Sequence, residues 1–145
     1  MIRRVLVVCI GNICRSPMAE GLFRRAVPEL QVSSAGMAAL VGYGADPTAV
    51  QIMLGAGIDI SAHRARMLTD MIARDADLIL VMDEMQKRQI SMQYPYVRGK
   101  IFRLAETAKQ DIPDPYKQGN EVFQAVFSQI EDGVNDWAKR ISSIA

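Results

Sequence analysis

The feature that most constrains this chain is the junction over residues 5–17. There an unbroken aliphatic run, Val5 to Val8, gives way to Cys9-Ile10-Gly11-Asn12-Ile13-Cys14-Arg15 and then to Ser16-Pro17. An apolar run without alternation reads as a strand buried on both faces, and such strands belong to parallel sheets covered by helices on each side. Ser16 and Pro17 read as an N-cap and a first helical residue, where proline's missing N–H costs nothing and its φ is already helical. Seven residues therefore have to turn a strand into a helix.

A loop closed that tightly turns successive backbone N–H groups inward, and the helix behind it adds its unpaired N–H groups and the positive end of its dipole. The amides of Ile10, Gly11, Asn12, Ile13, Cys14, Arg15 and Ser16 are thus candidate donors to a bound phosphate dianion. Gly11 allows the curl, and asparagine is among the few other residues that tolerate the left-handed region. Arg15 supplies a planar fork that grips two oxygens at once. Cys9 ends the strand at the floor of the nest, where the field that draws an oxyanion also favours a thiolate placed for in-line attack on phosphorus. A cysteine with an arginine six residues on is common by chance, and a buried cysteine is ordinarily a small hydrophobe. Strand, glycine, asparagine and Ser-Pro helix start occurring together favour the functional reading.

These residues, Val-Cys-Ile-Gly-Asn-Ile-Cys-Arg-Ser-Pro, resemble the phosphate loop of the low-molecular-weight protein tyrosine phosphatases, the bacterial members most of all, and the similarity extends over nearly the whole chain. The remaining features agree with one domain spanning residues 1–145. The chain is half apolar, which is enough for a proper core. A formal net charge of +1 leaves no field for nucleic acid or an anionic membrane. Two cysteines five residues apart are no secreted disulfide framework, and one histidine makes no zinc constellation, so neither metal nor other cofactor is expected. The N-terminus runs directly into a strand and no apolar run is long enough to span a bilayer, which points to a cytoplasmic protein without direct membrane insertion.

Along the chain, Met18, Ala19, Leu22, Phe23 and Ala26 form the inward stripe of a first helix that Pro28 stops, and Leu30 to Ala35 reads as the second strand. Strand, helix and strand imply a right-handed crossover between parallel neighbours. Ligands bind beyond the carboxyl ends of such strands, where Cys9 and Ser34 both fall. Residues 36–44 carry Leu40, Val41 and Tyr43 with no period, as either one wall of an aromatic-substrate cleft or a loop folded back on the core. Asp46-Pro47 reads as the start of a helix through about Leu54. A helix over Met67 to Arg74, a strand over Leu78 to Met82, a helix from Asp83-Glu84 to about Met92 and a short strand over Lys100 to Leu104 follow. Val122, Phe123, Val126, Phe127, Ile130, Val134, Trp137, Ile141 and Ile144 mark a long final helix. The fold class is α/β: a four-stranded parallel sheet with helices on both faces and the phosphate loop after the first strand.

Between the last strand and that helix lies Ile112-Pro113-Asp114-Pro115-Tyr116, which on its own reads equally as a helix N-cap or as an acid held rigidly by prolines. The resemblance makes Asp114 the general acid; Asp111 lacks that context. It also implies that Ser34 holds Asn12, that His63 supports the loop from behind, and that Leu40 and Val41 sit at the cleft rim beside Tyr116, which stacks on the substrate ring. Lys117 stands where animal members have a second aromatic. Ser16 has two competing tasks, capping the helix or donating its hydroxyl to Cys9. Cys14 reads as buried filler, yet lies near enough to Cys9 to trap its oxidation as a disulfide. The implied reaction is hydrolysis of phosphotyrosine through a cysteinyl phosphate. The implied partner is a phosphotyrosine protein, a membrane tyrosine autokinase of capsule or exopolysaccharide export. Two alternatives stay open: an arsenate reductase on the same fold, for which the relay cysteines are lacking, and a non-catalytic phosphate-binding module. Nothing in the sequence sets the oligomeric state.

Overall fold

The computed structural model of the protein describes residues 1–143. Its centre is a four-stranded, wholly parallel sheet built from β1 (Arg4–Cys9), β2 (Gln31–Gly36), β3 (Leu78–Val81) and β4 (Ile101–Arg103), in the order β2-β1-β3-β4. Five α-helices join them: α1 (Arg15–Ala26), α2 (Pro47–Gly55), α3 (Asp70–Asp75), α4 (Glu84–Gln93) and α5 (Asn120–Ser143). The unbroken apolar character of β1 has the expected cause. Val5, Val7 and Cys9 face a core shared with α1, α2 and α5, while Leu6 and Val8 face a second core with Ile79, Val81, Ala73, Ile90 and Val97.

Strand order changes direction at β1, because the chain leaves it through α1 to reach β2 on one side and later returns to β3 on the other. In open sheets of this kind the crevice lies outside the strand ends at that point, so the last residue of β1, Cys9, is set there by topology.

Several local expectations shift. Arg15, not Pro17, opens α1; Cys14 occupies the cap position without a side-chain cap, and Ser16 lies inside the first turn with its hydroxyl committed elsewhere. Ala26 is exposed and Val27 completes the stripe instead. The helix expected from Met67 begins only at Asp70, because Met67 still bridges to Gly36 as a strand would and Thr69 accepts the Ile72 N–H as the true N-cap. The expected caps Asp46 and Asp83 do accept first-turn N–H groups, from Thr48 and Gln86. Met82 lies past the end of β3, at a bend, donating its N–H to the Gln86 side chain and accepting the N–H of Ile112. On α5 the buried residues include Phe123, Val126, Ile130, Val134, Trp137 and Ile141, whereas Val122 is exposed; Ile144 lies outside the described residues.

Candidate active site

Residues 9–14 turn every carbonyl away from the loop's centre. The oxygens of Cys9, Ile10, Gly11 and Ile13 accept the N–H groups of Met37, Ala38, Leu40 and Asp46 at 2.8–3.1 Å. The Asn12 oxygen lies 2.6 Å from His63 Nε2, and the Cys14 oxygen accepts from Met18 in α1. A carbonyl only accepts, so His63 carries its proton on Nε2. With the carbonyls bonded outward, the intervening N–H groups of Gly11 to Cys14 have no protein partner among the described residues, which leaves them available to a bound anion. The curl needs one left-handed residue, and Asn12 supplies it with φ of 58°. The packing also needs a residue without a side chain at 36, since a Cβ on Gly36 would stand 2.5 Å from the Ile10 oxygen.

Behind the loop, hydrogen bonds run in one direction. Asn12 Oδ1 accepts the backbone N–H of Arg66 at 2.9 Å, which fixes the amide so that Nδ2 donates to Ser16 Oγ (2.7 Å) and Ser34 Oγ (3.0 Å). The Ser34 hydroxyl passes its proton on to Glu20 at 2.5 Å, and Glu20 pairs with Arg24. The Ser16 proton is left for Cys9 Sγ, 2.9 Å away. Asn12 and Ser16 are fully buried, so their side chains brace the loop and do not line its mouth. The two tasks weighed for Ser16 are thus resolved against capping. Glu20 and the Arg66 amide had no sequence signal as loop braces; a Glu four residues ahead of an Arg in a helix reads only as a surface pair.

In front lies a cleft of about 200 Å³ lined by Cys9, Ile10, Gly11, Ile13, Cys14, Arg15, Ala38, Leu40, Asp114 and Tyr116. A cavity of about 440 Å³ behind the loop is larger, but neither thiol lines it. Arg15 is only 2% exposed; its Nη1 donates to the Ile112 carbonyl at 2.7 Å and its Nη2 lies 3.8 Å from Asp114 Oδ2. Asp114 caps no helix, because α5 begins six residues later at Asn120; its Oδ1 accepts the Tyr116 N–H, and its side chain is 46% exposed at the cleft. Leu40 and Tyr116 form walls, whereas Val41 is 63% exposed and lies outside the lining, like Tyr43. Their backbone turns beyond the rim, with the Tyr43 N–H bonded to the Leu40 oxygen. Lys117 extends its ammonium over the Tyr116 ring, 5.5 Å from the centroid.

The two thiols are free and buried, and they differ in setting. Burial pushes the Cys14 thiol far up from its ordinary value, the charges of Asp46, Asp114 and Cys9 add to this, and Arg15 opposes it. Cys14 is therefore a neutral thiol, while Cys9 alone receives a hydroxyl donor from Ser16. A nucleophilic sulfur, a ring of inward amides, a buried guanidinium and a carboxyl facing them across one cleft form a set suited to transferring a phosphoryl group.

Comparison with known proteins gives the same picture. A family model described as low molecular weight phosphotyrosine protein phosphatase matches residues 4–144. A protein of Ralstonia solanacearum named "Probable low molecular weight protein-tyrosine-phosphatase EpsP" is 51% identical over 144 residues, with 99% of each chain covered. The low molecular weight protein-tyrosine-phosphatase Wzb of Escherichia coli strain K12 is 40% identical, with 99% of this chain and 98% of Wzb covered. Among solved structures, Vibrio vulnificus Wzb in complex with benzylphosphonate superposes with a TM-score of 0.94 at 34% identity, covering 97% of this chain and 99% of that one.

Proposed function

This chain belongs to the low-molecular-weight phosphotyrosine protein phosphatase family and is a protein tyrosine phosphatase, and we propose that it works through Cys9 as nucleophile, Arg15 as dianion clamp and Asp114 as proton donor. The observation that carries this assignment is the meeting of all three side chains in one cleft, with Cys9 Sγ under a nest whose carbonyls all point away.

The phosphate dianion docks against the amides of Ile10 to Arg15 and the guanidinium. The Cys9 thiolate attacks phosphorus, the bond to the phenolic oxygen breaks, and Asp114, protonated when substrate binds, gives its proton to that oxygen. Water then attacks the cysteinyl phosphate while Asp114 takes its proton, releasing inorganic phosphate and returning the thiolate. The Ser16 hydroxyl favours that departure by donating to the sulfur. Asn12, Ser34 and His63 act by holding the loop's shape. Leu40 and Tyr116 flank the ring of the substrate; Vibrio vulnificus Wzb, solved in complex with benzylphosphonate, binds a ligand that likewise joins an aromatic ring to a phosphorus acid.

A carboxyl that protonates the leaving group is worth about 10²–10⁴ in rate when the leaving group is poor. Asp114→Asn is therefore expected to lower kcat/KM for phenyl phosphate by about 10²-fold or more. For 2,4-dinitrophenyl phosphate, whose phenolate leaves unaided, the change is expected to stay within a few-fold. An equal loss on both substrates would remove Asp114 from the role.

The substrate is a phosphoprotein, and the one we assign is the tyrosine-rich tail of a membrane autokinase controlling capsule or exopolysaccharide export. Support comes from the resemblance to bacterial members along nearly the whole chain. Such a tail is presented in the cytoplasm, which is where we assign the enzyme; among the described residues no helix is long and apolar enough to cross a membrane. Comparing initial rates on a phosphorylated tail fragment and on unrelated phosphotyrosine peptides tests the assignment. The tail is expected to be the better substrate, and equal kcat/KM values would remove it.

A further inference from the structure

We propose that Arg103, which touches no substrate, is a positioning residue that holds the general-acid loop in place through Asp111. The inference rests on Asp114 being the proton donor. Arg103 ends β4, its backbone oxygen accepts the Trp137 indole N–H from α5, and its side chain is 13% exposed, so its backbone is fixed to both sheet and helix and its guanidinium is largely buried. Three carboxylates converge on it: Asp111 Oδ1 at 3.1 Å from Nη1, Glu106 Oε2 at 3.5 Å from Nη2, and Glu84 Oε1 at 3.7 Å from Nε. Asp111 Oδ1 also accepts the Glu84 N–H at the start of α4. Burial works against the charge of Arg103, but the Asp111 hydrogen bond and the Glu106 and Glu84 charges outweigh it and raise its pKa further.

Of these three acids Glu84 belongs to α4, while Glu106 and Asp111 lie in the connection from β4 to α5 that carries the proton donor, and Asp111, three residues before Asp114, is the nearer to it. The next residue, Ile112, is fully buried, donates its N–H to Met82 and gives its carbonyl to Arg15. Pro113 and Pro115 then pass this anchorage rigidly to Asp114. On the far side, the hydrogen bonds of Tyr116 and Gln118 reach no further than Asp114 and Pro115. Among the described residues, the backbone beside Asp114 is thus hydrogen-bonded to the body of the protein from its N-terminal side alone, through Asp111 and Ile112, while its own carboxylate adds an ion pair with Arg15 at 3.8 Å. Removing the Arg103 charge leaves Glu84, Glu106 and Asp111 facing one another, and Asp111, 55% exposed on a loop, is the one that swings out.

A misplacement of about 1 Å at a reacting group costs up to about 10²-fold, and with Ile112 still held we expect about tenfold. Arg103→Gln and Asp111→Ala should each lower kcat/KM for phenyl phosphate by about tenfold and leave 2,4-dinitrophenyl phosphate within about twofold. The double variant should be no worse than either single one, and Arg103→Lys should recover part of the loss. Asp111→Ala alters an exposed loop position, so the test survives if the Arg103 variants fold poorly. Asp114→Asn is measured alongside. If it discriminates between the two esters and neither Arg103→Gln nor Asp111→Ala does, the positioning role is wrong and the proton-donor reading stands. If Asp114→Asn itself shows no discrimination, both fall.

Discussion

Cys9→Ser is expected to cut aryl phosphate turnover by about 10⁴-fold or more while the loop still binds inorganic phosphate within a few-fold of the native affinity. The size of the effect follows from the surroundings of the sulfur. The groups that face it are donors: the Ser16 hydroxyl, whose oxygen is already occupied by the Asn12 amide, and the inward N–H groups of the loop. Donors stabilise a sulfur that is already an anion. A serine hydroxyl at the same place has to lose a proton as it attacks, and among the described residues no side-chain base is hydrogen-bonded to the Cys9 sulfur to take one. Steady-state kinetics together with calorimetric titration of phosphate separate the outcomes. Persisting turnover would put the nucleophile elsewhere, and loss of binding along with turnover would mean that the loop has lost its shape. A native protein that binds phosphate and turns nothing over would make the nest a recognition module.

Arg15→Lys is expected to reduce kcat/KM by about 10²–10³-fold and to lower unfolding stability by about 1–3 kcal/mol. The charge is kept, so the loss measures geometry. The guanidinium serves two directions at once, with Nη1 on the Ile112 carbonyl and Nη2 toward the cleft and Asp114. An ammonium on a flexible stem is a single point and does not reproduce the fork. If it turns to the dianion, the buried Ile112 oxygen is left without its donor, which is the source of the stability loss. The acid loop then loses its tie to the phosphate loop as well. Kinetics on phenyl phosphate and urea unfolding of the same preparation test both parts. Unchanged stability with a large kinetic loss would mean that the lysine still reaches Ile112, and unchanged kinetics would mean that charge alone suffices.

The chemistry of the phosphate loop was legible because it is local. Cys9, Gly11, Asn12 and Arg15 sit within seven consecutive residues, and their backbone preferences and side-chain types act on neighbours a few bonds away. The same holds for the buried first strand, the Asp46 and Asp83 caps, and the inward stripe of the last helix. Where local rules competed, the sequence did not name the winner. Ser16 is a good N-cap by type, but its hydroxyl oxygen accepts the Asn12 amide and its proton faces the Cys9 sulfur. Val41 carries the apolar character of a cleft wall, yet the turn that follows Leu40 leads it out of the cleft.

What the sequence by itself determined, then, is the set of candidate reacting groups and the parallel α/β frame that sets Cys9 at a strand end. What only the tertiary structure decided is how those groups are held. Asn12 reaches Arg66 across 54 residues and Ser34 across 22, Arg15 reaches Ile112 across 97, and Arg103 reaches Asp111 around the end of a strand. Apart from Ser34, whose tie to Asn12 the family resemblance implied, no residue in these pairs has a pattern that names its partner. A hydrogen bond or ion pair depends on separations of about 3 Å, and those arise only after the β1–α1–β2 and β3–α4–β4 units have packed against each other. Motif spacing encodes bonds along the chain; the braces of the site are bonds across it.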